Sequence, residues 1–257
     1  MKISKKAWNS YRDKLSAINQ KAATAMQKYI EANGLDDLDK IIAYAYTLVS
    51  RYGEAASELA CEMYDAIAIA QNANVKAAEP AEPADYGTTA AAVTATSKIN
   101  DGVPSVVGRM VKQVGADTTL QNARRDGAYF AWVPSGDACV FCEMLASRGW
   151  VRASKKTIRG DHADHIHNNC KCAFAISFDE NTEVEGYNPK FYNDKLYAET
   201  GGDLDGQDLL QSTWNGRRAD YSDVNSVRRS RYADNKDEIN AQKRAAYARR
   251  KEEKTTE

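Results

Sequence analysis

The stretch WNSYRDKLSAINQKAATAMQKYIEANG, residues 8–34, decides the fold class. Trp8, Tyr11, Leu15, Ile18, Ala22, Ala25 and Tyr29 recur at alternating spacings of three and four, the period that turns one face of an α-helix toward a neighbour. Asn33-Gly34 ends the run, since glycine and asparagine accept the backbone turn that closes a helix. After Asp36 the same pattern resumes through Leu38, Ile42, Ala45, Val49, Tyr52, Ala56, Leu59 and Met63. That second helix extends for about 35 residues, or about 50 Å at 1.5 Å per residue. Two seams and a short turn predict a helical hairpin whose apolar faces pack on each other. A partner or a second copy of the chain is the other candidate for the same faces.

Working outward, residues 77–95 read AAEPAEPADYGTTAAAVTA, with Pro80 and Pro83 close together and no apolar stripe to bury, which predicts a linker. Short helices are expected at Pro104–Val114, with proline in the first turn, and at Thr118–Arg125 before Gly127. Ala128–Val133 (AYFAWV) and Ala173–Phe178 (AFAISF) read as strands. Past Asp179 the chain is rich in Asn, Gly, Asp and Tyr, and short helices set among loops are expected. Residues 227–254, VRRSRYADNKDEINAQKRAAYARRKEEK, hold many charges and few large apolar groups, as a solvated helix or a tail that orders on a partner does. The expectation is a mainly α fold with a long N-terminal helical hairpin and a small zinc-stapled α+β module. Its parts are a hairpin at 1–76, a linker at 77–98, helices plus the module at 99–178, and a loop-rich region with a charged helical tail at 179–257.

Charge narrows the function. The 257 residues hold 35 Lys and Arg against 36 Asp and Glu, so no global basic field marks a nucleic-acid binder, and any such contact is local. Arg228, Arg229, Arg231, Arg249 and Arg250 in the tail are the candidates for DNA or an acidic protein surface. No apolar run approaches the roughly 18 residues of a membrane span, and the start is charged where a secretory signal is apolar. Membrane partners and export are not expected.

The densest chemistry lies between the two expected strands. Cys139-x-x-Cys142 is followed downstream by Cys170-x-Cys172, with His162, His165 and His167 just before the second pair. Zinc takes about four soft or borderline donors in a tetrahedron; a CxxC turn offers two, and a distant pair closes the site. Cys170 and Cys172 flank one residue, so both sulfurs can share one side of an extended strand. The four cysteines form one ligand set; His167 with three of them forms the other. Chance clustering of reduced thiols and a redox pair are the alternatives to metal. Cys61, in the second helix, reads as a small buried apolar residue.

Enzymatic readings are weaker. Asp164-His165-Ile166 is similar to the opening of the catalytic strand of HNH endonucleases, which would make His165 a general base and the protein a treble-clef-like DNA endonuclease. Two residues between His167 and Cys170 leave no room for the helix and second histidine that hold a catalytic cation. No GxSxG, phosphate loop or HExxH is present, and every histidine lies within residues 162–167. A non-enzymatic zinc-knuckle module that binds DNA is the third possibility.

The stretch WVPSGDACVFCEMLASRG, residues 132–149, together with HNNCKC, residues 167–172, resembles the cysteine motif of phage Mu F-like minor head proteins, in particular those of phages of actinobacteria. The resemblance implies a minor capsid protein of a tailed phage. Such a protein acts in head morphogenesis, sits in few copies near the portal and resides in the virion after assembly in the host cytoplasm. The portal and the major capsid protein are the partners it implies. It also implies Cys139, Cys142, Cys170, Cys172 and His167 as ligands of a structural zinc. Neither the maturation protease nor the toxin domain fused to some relatives is visible in this sequence.

Overall fold

The computed structural model describes residues 1–98, 102–135, 138, 140–158, 166, 170 and 172–200. It is mainly helical, as expected, with a three-stranded and a two-stranded sheet among the described residues. After a short strand β1 (Lys2–Ile3), the first seam becomes α1 (Lys5–Asn33) and the second α2 (Leu38–Ala70). Each start is capped by a side chain that accepts an otherwise unpaired backbone N–H. Ser4 accepts from Ala7 at 3.2 Å and Asp37 from Lys40 at 3.2 Å. Gly34 closes α1 at φ 73°, a left-handed geometry that a side chain resists. The Tyr29 and Tyr44 rings stack at 4.1 Å beside this turn, so the two helices run back along each other. The seam is slightly displaced from its simplest reading: Met26 rather than Ala25 is fully buried, and Ile18 and Tyr29 are half-buried.

Two expectations fail. Residues 77–98 are not a linker: 86–96 form α3 (Tyr86–Thr96), and the chain before it is pinned as a strap. The Ala78 N–H donates to Asp65 Oδ1 (2.8 Å), that of Glu79 to Asn122 Oδ1 (2.9 Å) and that of Ala81 to Thr118 Oγ1 (3.0 Å). The short helices expected at 104–114 and 118–125 are one helix, α4 (Gly102–Asp126). It is buried over most of its surface, from Val103, Val107 and Val111 to Thr118, Asn122 and Ala123, with a narrow line through Ser105, Arg109, Gln113, Asp117 and Gln121 half-buried, so its buried face is too broad and too mixed to read as an apolar stripe. The Thr118 and Thr119 hydroxyls donate to the carbonyls of Val114 and Gly115, which lets polar residues sit inside a core. Gly115 permits a close approach: a Cβ there would lie 3.2 Å from Leu15 Cδ1 and 3.3 Å from the Ala56 carbonyl oxygen. The helix α4 is therefore the centre of the fold, wedged against both arms of the hairpin.

It leads into β2 (Tyr129–Val133), then α5 (Val140–Ser147), β3 (Val151–Arg152), α6 (Lys155–Ile158) and β4 (Ala173–Ser177). The sheet has the order β3-β2-β4 and is antiparallel, with Trp132 opposite Phe174 and Val133 opposite Ala173. Both expected strands form with nearly the expected bounds. Beyond them β5 (Glu183–Val184) pairs in parallel with β1, and α7 (Pro189–Thr200) ends the described chain. The tail expectations, Arg228, Arg229, Arg231, Arg249 and Arg250 included, lie outside the described residues.

Candidate metal centre

The register of the sheet builds the site. Because Val133 pairs with Ala173, the chain leaving β2 faces the chain entering β4. Ser135 thus meets Cys172, its N–H donating to the sulfur at 3.4 Å. Cys170 stands two residues earlier, and Cys142, in the first turn of α5, comes from the other direction. The Sγ atoms of Cys142, Cys170 and Cys172 all lie within 4.8 Å of one another, and the residues are 0%, 9% and 1% exposed. Three thiols from two distant segments thus share one buried point.

The spacing tests the fit to a metal. Two sulfurs bound to one zinc at about 2.3 Å in a tetrahedron stand about 3.8 Å apart. Cys142 and Cys170 are 3.7 Å apart. A disulfide needs about 2.05 Å, so Cys142 and Cys170 are not joined by one in this structure. Hydrogen bonding to Cys170 and Cys172, and then burial, hold the Cys142 thiol far above its ordinary pKa. The Cys142 and Cys172 thiols are both raised, and a metal would have to displace their protons. The residues present fit a thiolate-binding metal such as zinc. Bound there, it would join the start of α5 to the start of β4 as a crosslink.

Of the five ligands expected from sequence, the structure brings together Cys142, Cys170 and Cys172. Cys139 and His167 lie outside the described residues, as do His162 and His165. Ile166, between the last two histidines, is buried, and its N–H donates to Gln113 Oε1 of α4 at 3.0 Å. Cys61 is half-buried rather than buried, and burial, with Asp65 and Glu58 nearby, raises its thiol pKa.

Three neighbours of the cluster carried no readable signal. Lys112, on α4, is 5% exposed and donates from Nζ to the Cys170 carbonyl. Burial lowers its pKa, while charge on the three cysteines would raise it. Glu143, next to Cys142, accepts both of its short bonds, 2.7 and 2.8 Å, from Lys195 of α7. The Tyr187 hydroxyl donates to the Ala146 carbonyl at 2.7 Å. Glu143 and Tyr187 thus hold α5 against the segment that leads into α7. Their partners are more than 40 residues away, and spacing along the chain says nothing of such pairs.

The chain belongs to the VG15 protein family, whose model matches residues 2–200, a family of phage gene products. No curated protein and no solved structure matches it. No helix among the described residues is long and apolar enough to cross a membrane.

Proposed function

We propose that this phage protein is a minor capsid protein that acts in head morphogenesis near the portal, with a structural zinc and no catalytic role. The observation that carries the reading is the convergence of Cys142, Cys170 and Cys172. These are residues of the motif that resembles the minor head proteins, and they meet in a chain of a phage family. Zinc held by these three with Cys139 or His167 has four protein ligands and no open position for water, the arrangement of a structural site. The portal and the major capsid protein are the partners this role requires, and the virion is its destination.

Quantitative mass spectrometry of nuclease-treated virions and proheads, counting this chain against portal and major capsid protein, tests it. The expected result is a copy number near that of the portal and far below that of the major capsid protein. Absence from both particles ends the structural reading. Strand nicking with Mg²⁺ or Mn²⁺ that is lost in His165→Ala would then put a nuclease in its place.

A further inference from the structure

The central helix of the bundle carries a lysine where an apolar side chain is expected. Lys112 sits among Val111, Val114 and Gly115 of α4 and is 5% exposed. Its one hydrogen bond is to the Cys170 carbonyl, and among the described residues no carboxylate pairs with it. An ammonium removed from water and given a single neutral acceptor is strongly destabilising, and such groups persist where an opposite charge faces them. Among the described residues, the groups beside it that can carry that charge are the sulfurs of Cys142, Cys170 and Cys172, whose cluster includes the residue its Nζ bonds. A divalent ion held by three thiolates is net negative whether Cys139 or His167 completes its shell.

We propose that Lys112 is the counter-cation of an anionic metal–thiolate centre, supplied from the helical bundle to the knuckle. This rests on the zinc reading above. Lys112 is a positioning residue: it touches the backbone of one ligand, balances the charge of the whole centre, and couples α4 to the metal. Its hydrogen bond holds the Cys170 carbonyl, and with it the sulfur, in place. Partners of this kind, one step outside the ligands, commonly change metal affinity by about 10- to 100-fold.

The role has a sign that a plain structural prop lacks. A prop stabilises the protein with or without metal, whereas a counter-cation is favourable only when the anion is formed. The test uses the full-length chain, as wild type, Lys112→Met and Lys112→Gln. Zn²⁺ affinity is read by competition with a chromophoric chelator, and urea unfolding is followed with and without Zn²⁺. Lys112→Gln keeps a donor without the charge and serves if the methionine variant fails to fold. The expected result is one Zn²⁺ per chain in the wild type and affinity about 10- to 100-fold weaker in the variants. The metal-free variants unfold at the same or higher urea than metal-free wild type. A wild type that binds no Zn²⁺ overturns the metal reading and this one with it. Wild-type binding with unchanged affinity in the variants overturns the counter-cation alone. So does a loss of stability in the metal-free variants.

Discussion

The helical bundle and the cysteine knuckle are held by opposite means. In the bundle, α4 is enclosed by apolar side chains on α1, α2 and α3, and the stabilising force is spread over dozens of small contacts. In the knuckle, short strands and an eight-residue helix meet at three sulfurs, and the force is concentrated in a few bonds. A spread force fails gradually as residues are altered; a concentrated one fails all at once.

The sharpest way to break the contrast is Cys142→Ser. Loss of all bound metal is expected, with the near-ultraviolet signal of Trp132 collapsing while far-ultraviolet helicity from α1, α2 and α4 persists. A knuckle that keeps its fold without metal would erase the difference between the two regions. Acid comes next. The raised thiols of Cys142 and Cys172 each release a proton on binding. Affinity should fall by about a hundredfold or more for each pH unit lost near neutrality. Zn²⁺ retention across a pH series by dialysis measures this, and a flat profile would exclude thiolate ligation. The stability of the bundle should change little over the same range.

Ile41→Ala probes the other side. Ile41 is 1% exposed on α2, and its truncation should cost about 2–5 kcal/mol by urea unfolding while metal affinity stays within error. A large loss of metal would mean that the regions do not fold independently. The smallest effect is expected from Glu143→Gln. Lys195 is partly exposed, with 39% of its side chain open to water, so the lost pair is worth only about 1 kcal/mol. Faster protease cleavage within α7, with the metal retained, is the signature to measure; unchanged cleavage would show that Tyr187 holds the segment unaided.

The same contrast explains what could be read in advance. The arms of the hairpin each turn one face to the core, so Trp8, Leu15, Ile42 and Val49 announce their helices by period alone. The helix α4 was legible only in pieces, because a helix buried over most of its surface, with glycine, threonine and asparagine inside it, shows only a weak period. The strap before α3 looked like a linker because its order comes from backbone N–H groups donating to Asp65, Asn122 and Thr118, distant acceptors that composition does not reveal. In the site, Cys142, Cys170 and Cys172 were named by spacing, since metal ligation constrains spacing directly. Lys112 and Lys195 were not, because each reaches the site from a helix whose place only tertiary packing fixes.

The pairing of β1 with β5 bears on the order in which the protein is made. Lys2 and Ile3 lie beside Glu183 and Val184, and the Met1 and Ile3 carbonyls accept from the N–H groups of Glu183 and Glu185. Residues 1–3 therefore wait for residues 183–185, about 180 positions further along, and closing so long a loop is slow. During synthesis α1 and α2 can meet early, but the start of α1 stays unlatched until residue 185 emerges. A nascent chain stalled before that point presents an unpaired strand edge at Lys2 and Ile3.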